Sequence, residues 1–82
     1  MPKSIHSSDY TRLKRLLRDV RLEKGLTQSE LAEKLVFPQS RVSKVERGER
    51  RLDLVELQDW CRALGISLTT FVRRFQSITR KS

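Results

Sequence analysis

The stretch "LVFPQSRVSKVERGE", residues 35–49, decides how this chain folds. As a single element it is badly built. Pro38 interrupts a helical pattern, yet helical spacing resumes at once and carries the cations Arg41, Lys44 and Arg47. Proline lacks an N–H and clashes with the preceding turn, so it suits the first turn of a helix and not its interior. The residue before it is driven from the helical region, which makes Phe37 extended. The pattern therefore predicts two helices joined by a rigid elbow. Phe37 would be costly in solvent, and burying it as a plug fixes the angle between the two helices.

Working outward, helix punctuation is clear on both sides. Upstream, a first helix is expected from Ser8 or Asp9 to Lys24, with Leu13, Leu16, Leu17 and Val20 on one stripe and Gly25 as its stop. Thr27-Gln28-Ser29-Glu30 reads as a capping box that opens a short second helix, with Leu31, Ala32 and Leu35 inward. The third helix ends near Gly48. Asp53-Leu54-Val55-Glu56 is a second capping box, starting a fourth helix with Leu57, Trp60, Cys61 and Leu64 on one face and Gly65 at its end. Ser67 caps a fifth, with Leu68, Phe71, Val72, Phe75 and Ile78 as its apolar stripe. No strand alternation or internal repeat occurs in the sequence. The expected fold is all-α: a compact five-helix domain over residues 9–76, a flexible basic leader at 1–8 and a basic tail at 77–82.

At roughly 100° per residue, Val42 and Val45 of the third helix share one side. Gln39, Ser40, Ser43, Lys44 and Arg47 spread over the opposite side, and Glu46 sits at the core boundary. The outer face thus offers amide, hydroxyl and cationic groups with no acid among them. Gln matches an adenine edge, Arg or Lys a guanine edge, and Ser either a base or a phosphate. A capped short helix, a tight break and a second helix with an exposed polar face make the helix-turn-helix pattern, here residues 27–48.

Charge agrees. The formal net charge of +8 and pI near 10.6 call for an acidic partner, either nucleic acid or an anionic membrane surface. No run approaches the ~18 apolar residues of a membrane span, and no signal-peptide core precedes the first helix, so a cytoplasmic protein is expected. Membrane-surface binding is the weaker choice, because no helix sets a basic face against Trp or Phe as that role requires. Cys61 excludes an internal disulfide and reads as a small core residue. His6 alone makes neither a metal site nor a catalytic dyad, and the sequence has no phosphate loop, Ser-His-Asp set or acidic pair. No enzyme, metal, cofactor or small-molecule substrate is expected.

The segments "VRLEKGLTQSELAEKL", "PQSRVSKVERGERRLDL" and "ALGISL" together resemble the phage-repressor and Cro-type (XRE-type) helix-turn-helix regulators. The resemblance spans about Arg12 to Val72 and implies a lambda-repressor-like DNA-binding domain. It implies base reading by Gln39, Ser40, Ser43 and Lys44, and backbone contacts from Gln28, Arg47 and the loop after it; Arg41 is grouped with the backbone set. Arg50 and Arg51 divide evenly between backbone contact and a solvated loop; they are grouped with the backbone set. The resemblance also implies an ion pair between Arg21 and Glu46. One position departs from the family: Val36 stands where glycine is common, because that turn needs positive φ. Either the turn differs or a β-branched residue is strained there.

Helix five carries more apolar surface than so small a fold needs, which marks Val72, Phe75 and Ile78 as a dimer interface. The expected function is a dimeric repressor of a palindromic double-stranded DNA operator. It could serve as a phage-type repressor, a restriction-modification controller, or an antitoxin with a toxin partner. The alternative is a protein-interaction module of the same fold with only non-specific DNA affinity.

Overall fold

The computed structural model describes residues 8–80. It contains α1 (Ser8–Glu23), α2 (Gln28–Leu35), α3 (Gln39–Glu46), α4 (Leu54–Leu64) and α5 (Leu68–Arg80). The leader expected at 1–8, with His6, lies outside the described residues except for Ser8, which begins α1. At the other end, α5 runs on to Arg80, past the boundary set at residue 76. The Thr79 hydroxyl donates back to the carbonyls of Phe75 (3.1 Å) and Gln76 (3.3 Å), so the end of the stripe is helical, not a loose tail.

Both capping boxes form. The Glu30 N–H donates to Thr27 Oγ1 at 3.0 Å, and the Thr27 N–H donates to Glu30 Oε1 at 2.8 Å. Asp53 and Glu56 do the same at the start of α4, at 2.8 and 3.0 Å. Ser67 Oγ accepts the Thr70 N–H at 3.0 Å and opens α5. Pro38 is the N-cap of α3, one position before the first turn in which the sequence reading set it. Its φ of −65° and ψ of 147° still let the chain leave an extended segment and enter a helix.

The core draws on every helix: Leu16, Leu17 and Val20 from α1, Leu31 and Ala32 from α2, Val42 and Val45 from α3, Trp60, Cys61 and Leu64 from α4, and Phe71 from α5. Phe37 is half-buried against it, its ring centroid 6.4 Å from that of Trp60. The elbow is plugged as the sequence predicts.

The first four helices close in the same way. In each, the N–H of the residue after the left-handed position bonds a carbonyl five residues back: Leu26 to Arg21, Phe37 to Ala32, Glu49 to Lys44 and Ile66 to Cys61. Three of these left-handed positions are Gly25, Gly48 and Gly65; the fourth is Val36, at φ 60° and ψ 47°. The turn therefore keeps its geometry and the valine bears the strain, with 87% of its surface exposed. A left-handed L-residue costs on the order of 1–2 kcal/mol, and branching at Cβ adds crowding. Val36→Gly and Val36→Asn are both expected to raise the melting temperature, by roughly 4–8 °C per kcal/mol recovered. Asn is expected to match or exceed Gly, since it tolerates this conformation with less chain entropy to lose. Thermal denaturation of the two variants beside the parent checks this, and a fall in both would show that the Val36 side chain stabilises the turn.

Candidate nucleic-acid interface

The outer face of α3 rests on a buried ion pair. Arg21 donates from Nε to Glu46 Oε2 at 2.6 Å and from Nη2 to Oε1 at 3.0 Å, and from Nη1 to the Leu26 carbonyl at 2.8 Å. Both side chains are nearly sealed from solvent, 8% exposed for Arg21 and 5% for Glu46. One guanidinium thereby ties the end of α1 and its closing turn to the last residue of α3.

Glu46 also sets the direction of a longer chain of hydrogen bonds. An ionised carboxylate only accepts, so Gln28 presents its amide nitrogen to Glu46 Oε1, at 3.0 Å. Its carbonyl oxygen then faces outward and accepts from Gln39 Nε2 at 3.3 Å, while Gln39 Oε1 accepts from the Ser29 hydroxyl at 3.1 Å. Gln39 is left with one amide N–H and one carbonyl lone pair not used in these bonds. The first residue of α3, Gln39, is thus oriented from the domain interior through one glutamine, Gln28. Sequence reasoning gave Gln28 and Gln39 separate roles and missed Ser29 altogether. Its signal was its place in the first turn of α2, beside the start of α3.

Ser40 and Lys44 are exposed and Ser43 is half-buried, on the side of α3 opposite Val42 and Val45, which are 0% exposed. Arg47, the C-cap of α3, donates to Ser43 Oγ through Nη1 and grips Glu49 through Nε (3.0 Å) and Nη2 (3.2 Å). That hydrogen-bonded pairing holds the Glu49 carboxyl below its usual range, helped by the Arg47 charge and then by Lys44. Lys14 of α1 donates to the Arg47 carbonyl at 3.2 Å, placing a cation at the negative end of the α3 dipole. Its chain packs so closely on Gly48 that a Cβ there would lie 2.9 Å from Nζ.

The remaining cations assigned to the backbone are already occupied in part. Arg41 lies with its guanidinium 4.2 Å above the Phe37 ring, on the elbow and apart from the amide network of Gln28 and Gln39. Arg50 donates to Glu56 Oε2 at 3.0 Å and holds that carboxyl below its usual range. Arg51 stacks 4.2 Å over the Tyr10 ring. Neither is simply a solvated loop residue. Of the expected interface on α5, Val72 and Phe75 are half-buried, Phe75 packs against the core, and Ile78 remains 37% exposed.

Burial pushes the Cys61 thiol up to about 11, far from a reactive thiolate. No group of three His, Cys, Asp or Glu side chains that could hold a metal ion occurs among the described residues. No described helix is long and apolar enough to cross a membrane.

Comparison with known proteins agrees with this geometry. Residues 17–71 match the helix-turn-helix family model. An uncharacterized HTH-type transcriptional regulator, y4dJ, of Sinorhizobium fredii is 35% identical over 65 residues, covering 79% of this chain and 75% of that protein. An XRE-family like protein from Pseudomonas syringae pv. tomato superposes with a TM-score of 0.85 at 43% identity, over 94% of each chain. The wild-type restriction-modification controller C.Esp1396I gives a TM-score of 0.85 at 27% identity, over 94% of this chain and 100% of its own. The same controller has been solved as a tetramer on its natural 35 base-pair operator; that form gives a TM-score of 0.80 at 28% identity, over 88% of this chain and 95% of its own. Elements, buried ion pair and relatives converge: this chain belongs to the XRE-type helix-turn-helix family of DNA-binding transcriptional regulators, and that family is not one of enzymes.

Proposed function

We propose that this regulator binds a palindromic double-stranded operator as a homodimer, with α3 of each protomer in a major groove. The observation that carries this reading is the chain Arg21–Glu46–Gln28–Gln39, which fixes a base-reading amide from a buried charge. The free N–H and lone pair of Gln39 match the N7 acceptor and N6 donor of adenine. Ser40, Ser43 and Lys44 follow along the groove, with Lys44 suited to the acceptor edge of guanine. Gln28 keeps a second amide N–H for a phosphate, and Arg47, Arg50 and Arg51 flank the far end of α3 toward the backbone. Arg41, stacked on Phe37, is a weaker candidate for that set. Repression would follow from occupying a site that polymerase needs. The likeness to C.Esp1396I, solved on its natural operator, favours a restriction-modification controller role over phage-type repressor and antitoxin roles.

Selection of bound sites from random duplex DNA tests this directly. A symmetric consensus with half-sites about one helical turn apart, ~34 Å, is expected. An unselected pool with salt-sensitive binding would instead favour the interaction-module reading. Within a consensus, Gln39→Ala and Lys44→Ala should each relax preference at particular positions, costing about 1–3 kcal/mol there. Arg47→Ala should weaken every point-substituted operator evenly and lower the salt slope on them by about 1. Affinities measured on point-substituted operators separate the two outcomes. Full base preference in Lys44→Ala would remove that residue from the reading face.

A further inference from the structure

The donor edge that a phosphate would use on Arg47 is already filled. Arg47 binds backbone phosphate best through its Nε and Nη2 hydrogens, which form a fork matched to two oxygens. In this structure Glu49 Oε2 and Oε1 sit on those two nitrogens at 3.0 and 3.2 Å. The two side chains are about half exposed, 54% and 55%, so solvent and DNA both reach the pair. Glu49 is held in place by its own backbone, whose N–H donates to the Lys44 carbonyl at 2.8 Å. Its negative charge therefore stands at the cationic end of α3, beside Arg47 and near enough to Lys44 to feel its charge.

We infer that Glu49 is an internal stand-in for a DNA phosphate, which occupies Arg47 until α3 is seated on its operator and so suppresses non-specific binding. This rests on reading α3 as the DNA-facing helix. On random duplex DNA, affinity comes almost wholly from cations meeting phosphates, and losing one such cation to a carboxylate weakens the whole of that interaction. On the operator, base contacts hold α3 in place, and a phosphate fixed beside Arg47 displaces the carboxylate. A carboxylate on a flexible two-carbon stem can leave without disturbing the helix. Glu49 thus acts on specificity as a ratio, raising the contrast between operator and bulk DNA without touching a base.

The test uses Glu49→Gln, which keeps shape and removes the charge, and Glu33→Gln on the exposed side of α2 as the control for net charge. Dissociation constants are measured for random duplex and for the selected operator over a range of salt, in the full chain. Glu49→Gln is expected to bind random duplex about tenfold tighter at low salt, with a salt slope steeper by about 0.9, one extra phosphate engaged. Its gain on the operator should be several-fold smaller, and Glu33→Gln should shift both only slightly. In an Arg47→Ala background the effect of Glu49→Gln should shrink to that of Glu33→Gln. Equal behaviour of Glu49→Gln and Glu33→Gln would overturn the inference. Weaker binding by Glu49→Gln on both DNAs would also overturn it, making Glu49 a residue that positions Arg47 for contact. A parent protein with no affinity for duplex DNA would remove the proposed function and this inference with it, whereas a parent that binds leaves the variants to decide the inference alone.

Discussion

Glu46→Ala is expected to lower the melting temperature by tens of degrees or abolish a cooperative transition. The side chain accepts three hydrogen bonds, two from Arg21 and one from Gln28. Removing it leaves a guanidinium 8% exposed with no counter-charge at its centre. Breaking a buried pair on one side typically destabilises by ~3–5 kcal/mol, because the remaining ion is still desolvated. Small domains have only about 5–15 kcal/mol in total. At roughly 4–8 °C per kcal/mol for a domain of this size, the shift is too large to miss. Glu46→Gln keeps one acceptor for Arg21 and should fall between. Glu49→Ala, which removes an exposed partner of Arg47, should leave the melting temperature nearly unchanged. Calorimetry or far-UV dichroism on the three variants decides it, and a small, equal effect from Glu46→Ala and Glu49→Ala would remove the buried pair as a determinant of stability.

Ile78→Asp is expected to cost operator affinity most while leaving the fold intact. Phe75 is the larger member of the stripe, but it packs against the core, so an acid there would damage the monomer as well. Ile78 is 37% exposed near the end of α5, where a charge is tolerated by an isolated chain and not by a symmetric apolar contact. A dimer that grips two half-sites gains about 10²–10⁴-fold over one half-site through linkage alone, and a monomer forfeits that gain. Sedimentation of parent and variant at matched concentration, with operator titration and dichroism alongside, is the measurement. The dimer surface would have to be sought elsewhere if Ile78→Asp still dimerised. The exposed pair Leu54 and Val55 at the start of α4 is the next apolar surface to examine. A parent that stays monomeric even on operator would end the dimer reading altogether.

Much of this architecture was legible in one dimension because it is written in contacts three to five residues apart. Thr27 with Glu30, Asp53 with Glu56, and the glycines at 25, 48 and 65 each signal a helix end through bonds to their own neighbours. The Arg21–Glu46 pair spans 25 residues; the helical wheel put Glu46 at the core edge, and family resemblance supplied its partner. What could not be read were side chains whose partners lie across the α2–α3 and α3–α4 junctions. Gln28 and Gln39 look like two independent polar residues until the fold brings them to 3.3 Å. Arg47 and Arg50 look like free cations until Glu49 and Glu56 are seen on them. Arg41, counted with the phosphate contacts, turns out to lie on the aromatic ring of Phe37. Charge is visible in a sequence, but whether it is spent at home depends on loop geometry. Val36 shows the converse: the sequence exposed the conflict with a left-handed turn, and only the structure showed which side yields.

The contact between Phe37 and Trp60 also gives the protein its own optical label. Trp60 is the single tryptophan, 1% exposed, and the aromatic ring it touches belongs to the elbow between α2 and α3. An indole shut away from water emits at shorter wavelength than one in solvent, so its spectrum reports on the core and on the elbow packed against it. Stopped-flow fluorescence of the unmodified chain can therefore follow the elbow as duplex DNA is added, or as denaturant opens the domain, without any dye attached to α3.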